Sequence, residues 1–298
     1  MKKQHQADLA LLLVTLAWGI SFILTKNTLD TLSTFNFLSI RFIISALTSA
    51  LIFYKRMLKL DRQTLKYGLL IGVIMFLGYA TQTLGLNYTT ASKSGFITGF
   101  SVVIVPIFSA LVLKKAPKPA AILGVVFAIV GLGLLTLDNN LSLNMGDLYT
   151  LIGAFCFAFH IITVSKYAVK VDAINLAILQ IGVVGVLSGI ISLLFEAPVI
   201  PTGAGVWGSI LFLSFVCTSG AFIIQNTAQK YTTATHTALI FSGEPVFSAM
   251  FAYLLAGEVL TGRGIIGSIL ILSGMLAAEL DINLPFWKPK AQVQDMDA

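Results

Sequence analysis

Apolar residues run along the chain in blocks of about twenty, the length an α-helix needs to cross a bilayer, with short polar breaks between them. Ten blocks are legible, at 7–26, 35–54, 66–86, 92–113, 119–137, 147–165, 174–195, 206–229, 236–256 and 262–280. They predict ten transmembrane helices and an all-α integral membrane fold. Lys2 and Lys3 precede the first block in the manner of a secretory leader. That block is too long, continues through the polar residues 25–27 and offers no small-x-small cleavage site, so a retained helix is expected. Between the blocks there is no linker or low-complexity tract, and one membrane domain is expected to account for the chain.

Composition agrees. Hydrophobic residues make up 57% of the 298 positions and charged residues 11%, with a mean hydropathy of +0.91, whereas a soluble domain is about one quarter charged. The net charge of +6 has a topological reading. With both termini in the cytoplasm, fifteen of the nineteen basic residues fall in inside loops and tails, against Lys26, Lys93 and Arg263 outside and Arg41 within a helix, which is the positive-inside distribution. A nucleic-acid partner would need the cations gathered on one soluble face, and no such face exists. Cys156 and Cys217 both lie in apolar blocks and read as small buried hydrophobes; a metal site built on Cys156 and His160 would need further ligands, and none is evident.

The word YTTA occurs twice, at 88–91 and 231–234, each preceded by a glutamine six residues before the tyrosine, Gln82 and Gln225. PIFSA at 106–110 answers PVFSA at 245–249, and the Gly-x6-Gly spacing of 121–135 recurs in 264–278. The chain therefore reads as a duplication, with a first five-helix repeat over 1–140, a second over 141–285 and a cytoplasmic tail at 286–298. Five is odd, so the second copy enters the membrane from the opposite side. Two inverted five-helix repeats are a pattern of secondary transporters, in which similar halves exchange conformations around one central site. Pro106 and Pro245 lie inside the fourth and ninth blocks, where each removes an amide donor; they are expected to kink helices, as packing bends or as gates. Gly95 with Gly99, and Gly185 with Gly189, read as close helix packing.

The strings AWGISFILTK, IRFIISAL, YATQTLGLNYTTASKSGFITGFSVVIVPIFSALVL and YTTATHTALIFSGEPVFSAMFAYLLAGEVLT together resemble the EamA family of the drug/metabolite transporter superfamily. The resemblance covers nearly the whole chain. It implies the ten-helix inverted-repeat fold, cytoplasmic termini, and transport of small metabolites, commonly amino acids or related compounds and often outward. One departure is visible: Lys114 and Lys115 stand where such proteins often carry a glutamate, which the second half keeps as Glu258.

Polar intramembrane groups that break the internal symmetry are the best site candidates, because shared architecture is repeated and ionisable groups in a bilayer are costly. Glu244, aligned through the prolines with Val105, suits a proton relay or a hold on a substrate amine; the alternatives are backbone freed by Pro245 and an ion pair with Arg41. Arg41 itself could snorkel to the interface, form a structural pair, or bind a substrate carboxylate or phosphate. Trp18, aligned with Ala158, shares a helix stripe with Ser21, Phe22 and Thr25 and reads as packing or as a cavity wall. His160, aligned with Ile20, reads as a proton carrier or as a neutral hydrogen-bonded residue. Gln82 and Gln225, with Tyr79 on the stripe of the former, could approach a central site from both halves. The YTTA words fall at helix ends, where turn and capping duties come first.

No phosphate loop, HExxH or GxSxG motif is present, so an enzyme is not expected. Neither cofactor nor metal is expected. The implied partners are a small-molecule substrate, the lipid bilayer and, as a candidate co-substrate, protons, with the protein a monomer or weak homodimer in the plasma membrane. A channel would need a continuous polar path, which scattered single polar groups do not make.

Overall fold

The computed structural model describes residues 2–112, 119–136 and 144–279. Lys114, Lys115 and the tail at 286–298 lie outside the described residues. The chain folds into α1 (Lys2–Leu29), α2 (Thr34–Ile52), α3 (Arg62–Leu86), α4 (Ala91–Val112), α5 (Pro119–Thr136), α6 (Met145–Tyr167), α7 (Ala173–Phe195), α8 (Ala204–Ala228), α9 (Ala234–Ala256) and α10 (Gly262–Glu279). A single helical turn, Tyr54–Met57, follows α2. Among the described residues eight helices are long and apolar enough to cross a membrane, and α5 and α10 contribute shorter apolar stretches. The described residues contain no strand.

Local chemistry marks where these helices begin. Asp61 accepts from the Thr64 amide at 2.7 Å ahead of α3, Asn144 from Gly146 at 2.7 Å ahead of α6, and Asp172 from Ile174 and Asn175 at 3.0 and 2.9 Å ahead of α7. The two YTTA words do the same work: Thr90 Oγ1 accepts from Lys93 N, and Thr233 Oγ1 from His236 N, so each caps the helix that follows. Such a cap satisfies one of the amides that a helix start leaves open, for about 1 kcal/mol.

Burial is reversed from that of a soluble bundle. Leu9, Leu12, Leu13 and Leu16 of α1 are exposed while Thr15 and Thr25 are buried, and Ser45, Gln180, Gln225 and Asn226 lie inside. In a bilayer the apolar face meets lipid, and interior polar groups bind helix to helix. Ser45 Oγ, for example, donates to the Ser214 carbonyl across α2 and α8 at 2.9 Å.

Helix α1 packs on α8 and α9, α6 on α3 and α4, α2 on α7, and α5 on α10. The last contact is set by glycine. A Cβ on Gly131 would strike the Gly267 carbonyl and one on Gly267 the Gly131 carbonyl, while Gly274 meets the Gly124 carbonyl. These are the four glycines of the two Gly-x6-Gly spacings, and the first of each pair meets the last of the other, so the helices run antiparallel. Gly95 and Gly99 lie against Ser248 and Pro245, and Gly185 and Gly189 against Ile43 and Ser39, close packing in both cases.

The two prolines differ. Helix α4 continues through Pro106, so the proline does not end the helix there. Helix α9 is broken: Ala234–Phe241 ends at the Ser242–Gly243 turn and a new helix, Glu244–Ala256, starts with Pro245 in its first turn. Pro106 sits beside Val102, Val103, Ile104 and Val105, all buried, whose packing holds α4 together. In α9 the residues before the proline are Ser242, Gly243 and Glu244, and the glycine weakens the helix next to the amide that the proline lacks.

Candidate functional site

A cavity between α1, α3, α4, α6, α8 and α9 is lined by Trp18, Ser21, Tyr79, Gln82, His160, Gln225 and Glu244, together with Phe22, Thr98, Ser101, Phe157, Ile161, Phe222 and Phe241. The first seven are the residues expected above to bind substrate; Arg41, whose readings included a substrate anion, is not among the lining residues. Its accessible space is small, about 40 Å³, room for a few waters.

The fourteen lining residues form seven pairs at fixed sequence intervals. On α1 and α6 the interval is 139: Trp18 with Phe157, Ser21 with His160, Phe22 with Ile161. On α3 with α8, and α4 with α9, it is 143: Tyr79 with Phe222, Gln82 with Gln225, Thr98 with Phe241, Ser101 with Glu244. This pairing corrects the alignments drawn from sequence alone. The counterpart of Trp18 is Phe157 and not Ala158, that of His160 is Ser21 and not Ile20, and that of Glu244 is Ser101 and not Val105. Aligning the prolines misled, because α4 carries Pro106 one turn further along than α9 carries Pro245. Gapless extension from YTTA gives the correct register, and it would have located Thr98, Ser101, Phe222 and Phe241 as well.

Aromatic rings form much of the wall. Trp18 lies 5.3 Å from Phe222 and 5.0 Å from Phe241 between ring centroids, and Tyr79 lies 5.3 Å from Phe157. Trp18 is fixed by an indole hydrogen bond from Nε1 to the Cys217 carbonyl at 3.0 Å. That carbonyl belongs to Phe215–Gly220, a π-helical turn in α8, and π turns leave backbone groups free for such outside partners.

Arg41 is 2% exposed and does not border the cavity. Its Nε donates to Thr218 Oγ1 at 2.9 Å, and its guanidinium lies 5.3 Å from the Phe42 ring and 5.4 Å from that of Tyr79. The side chain turns into the bundle, so snorkelling is excluded, and no acid among the described residues pairs with it. Ser214 Oγ, just before the π turn, donates to the Arg41 carbonyl at 3.0 Å, tying α8 to α2. Nη2 is buried without a partner. Arg41 thus stands behind Tyr79, one residue removed from the cavity.

His160 is committed. Its Nε2 lies 2.7 Å from Gln180 Oε1, Gln180 Nε2 donates to Asn226 Oδ1 at 2.9 Å, and Asn226 Nδ2 donates to the Phe222 carbonyl at 2.8 Å. A carboxamide oxygen can only accept, so Nε2 carries the hydrogen. Read to its carbonyl end, the relay orients each amide and fixes the imidazole at the cavity edge with Nε2 as a donor.

Glu244 is different. No hydrogen bond or ion pair from the described residues reaches its carboxylate, so neither the freed backbone nor Arg41 takes it. The glutamines also part ways: Gln82 Nε2 donates to Thr98 Oγ1 at 2.9 Å, whereas Gln225 is fully buried with both Nε2 and Oε1 unpartnered.

The two ends of the bundle are closed differently. At the end carrying the start of α4, Glu258 accepts from the Ala91 and Ser92 amides and the Ser92 hydroxyl, Lys93 pairs with buried Asp147 at 2.9 Å, and Lys26 donates to the Leu86 and Thr89 carbonyls. Glu196 caps α2 similarly through Phe35 N and Asn36 N. At the end carrying the N-terminus, the half-exposed Asp8–His236 contact at 3.2 Å is flanked by open crevices lined by Lys3, Gln6, Lys230 and Tyr231.

The family model of the EamA-like transporter family matches residues 5–137 and again 144–278. A protein of Archaeoglobus fulgidus named as an uncharacterized transporter is 35% identical over 94% of this chain and 88% of its own length. Bacillus subtilis YyaM, named likewise, is 25% identical over 92% and 93%. A solved crystal structure at 18% identity superposes with a TM-score of 0.70 over 92% of this chain and 96% of its own, a likeness of fold.

Proposed function

Because this chain belongs to the EamA-like transporter family, a multi-pass membrane transporter is the starting point, and we propose that it is a secondary carrier working by alternating access. In this reading residues 1–140 and 141–285 are inverted five-helix repeats spanning the membrane ten times, with both termini in the cytoplasm. The observation that carries it is the composition of the cavity wall from seven residue pairs, one member from each half. Two further features support it. The partners of α1 in packing, α8 and α9, are the counterparts of α3 and α4, the partners of α6. Helix α5 also meets its counterpart α10 antiparallel, through exchanged glycines, as a two-fold axis in the membrane plane requires.

The cargo is a small metabolite, an amino acid or related compound, moved outward. The cavity admits a few waters as it stands, so loading requires the halves to part. The crevices at the N-terminal end and the ion-paired opposite end favour entry from the side of the N-terminus. Glu244 is the coupling group: a carboxylate inside the bundle without a protein partner is costly, and a proton or the cargo's ammonium relieves that cost. An enzyme is disfavoured because the cavity pairs no nucleophile with a base.

The test is to compare metabolites released by cells carrying the wild-type protein, the Glu244→Gln variant, or neither. Excess release with wild type alone supports export through a cavity that needs Glu244. Equal release by the variant at every pH gradient would remove Glu244 from coupling, and no release from either, with insertion verified, would overturn export.

A further inference from the structure

The cavity treats its two glutamines unequally, and the residue pairs give the reason. Gln82 is satisfied because Thr98, on α4, offers a hydroxyl oxygen to its Nε2. The counterpart of Thr98 on α9 is Phe241, which offers a ring and no acceptor. Gln225 is consequently fully buried and borders the cavity with its carbonyl oxygen and its amino group both unmatched. Nearby polar groups are already taken: His160 is held by Gln180, and Asn226 by Gln180 and the Phe222 carbonyl. A buried amide left unpaired forfeits the hydration of both its groups, and such a group on a cavity wall calls for an explanation.

Resting on the carrier reading above, we infer that Gln225 is the specificity-determining anchor for the cargo, and that the absence of a hydroxyl at Phe241 is what keeps it free. A free carboxamide edge presents an acceptor beside a donor, and it is matched by a ligand presenting a donor beside an acceptor. The ligand class is therefore a compact solute with an N–H group adjacent to a carbonyl or carboxyl oxygen. Its N–H faces Gln225 Oε1, its oxygen accepts from Gln225 Nε2, and an additional N–H can turn to Glu244, the other cavity group without a partner. The cargo sits off the two-fold axis, against the second half. Gln82 has a different duty, holding α3 to α4 through Thr98.

The decisive variant leaves Gln225 in place. Phe241→Thr gives it the hydroxyl that Gln82 already has, and Phe241→Leu serves as a control for the lost ring. Thermal shift of the detergent-solubilised protein is measured with three probes: propionamide (donor beside acceptor), propionate (acceptor only) and n-propylamine (donor only). Propionamide is expected to stabilise the wild type more than propionate does. Its apparent affinity should fall about tenfold in Phe241→Thr and in Gln225→Leu, the worth of one or two neutral hydrogen bonds, and by much less in Phe241→Leu and Gln82→Leu. Equal propionamide binding by Phe241→Thr and wild type would overturn the inference, as would an equal loss in Gln82→Leu and Gln225→Leu. A response to propylamine with none to propionamide would also overturn it while leaving the cavity as the cargo site. No response to any probe by the wild type would overturn both.

Discussion

The two walls of the cavity are copies that have diverged in opposite directions. At four of the seven pairs the first half contributes Ser21, Thr98, Ser101 and Gln82, three hydroxyl residues and an amide paired with Thr98. Their second-half counterparts are His160, Phe241 and Glu244, each larger, and Gln225, whose amide is unpartnered; Glu244 likewise has no protein partner among the described residues. The backbone repeats the contrast. Helix α4 is unbroken across Thr98 and Ser101, whereas α9 is broken at Ser242–Gly243, between Phe241 and Glu244. On the carrier reading proposed above, symmetry supplies the alternation between two sides and recognition is concentrated in one half.

That division of labour is open to attack, and the largest effect is expected at the pair Ser101 and Glu244. Glu244→Ala should lower transport about 10–100-fold, the worth of a hydrogen bond to a charged group, with membrane insertion intact by fractionation. Ser101→Ala should change transport little. Equal losses would dissolve the comparison between the walls.

The architecture should fail next. Gly131→Leu drives a side chain into the Gly267 carbonyl and should destabilise the protein by about 1–3 kcal/mol, seen as a lower melting temperature in detergent. Gly208→Leu, with nothing nearby to strike, should melt as wild type. Thr98→Val removes the Gln82 partner at nearly constant volume and should cost about 1 kcal/mol. Its melting temperature should fall slightly, with cargo affinity unaltered. The smallest effect separates the prolines. Pro245→Ala lets the two pieces of α9 join and should slow turnover a few-fold in a vesicle flux assay, whereas Pro106→Ala, in a helix already continuous, should not.

The bundle was legible because a bilayer demands long apolar blocks, and the duplication was legible because YTTA caps both α4 and α9 and is kept for that reason. The paired glutamines pointed to the cavity from both sides. Less legible was the register of the pairs, since Pro106 and Pro245 invite an alignment that the hydroxyl and aromatic positions contradict. Arg41 could not be placed from its neighbours in sequence: its partner Thr218 is presented by a π turn, and an extra residue in one helical turn leaves no periodic trace. Glu258 and Glu196 likewise cap helices distant in sequence, α4 and α2, which no local pattern reports.

The central claim is that one cavity, walled by both halves, is reached from the two membrane faces in turn. It is tested most directly by placing a cysteine at Ser101 in a background with Cys156→Ala and Cys217→Ala, and labelling it with a membrane-impermeant maleimide in right-side-out and inside-out vesicles. The account predicts labelling from either face, with cargo lowering both rates. Labelling from one face alone, whatever the cargo or gradient, would contradict it.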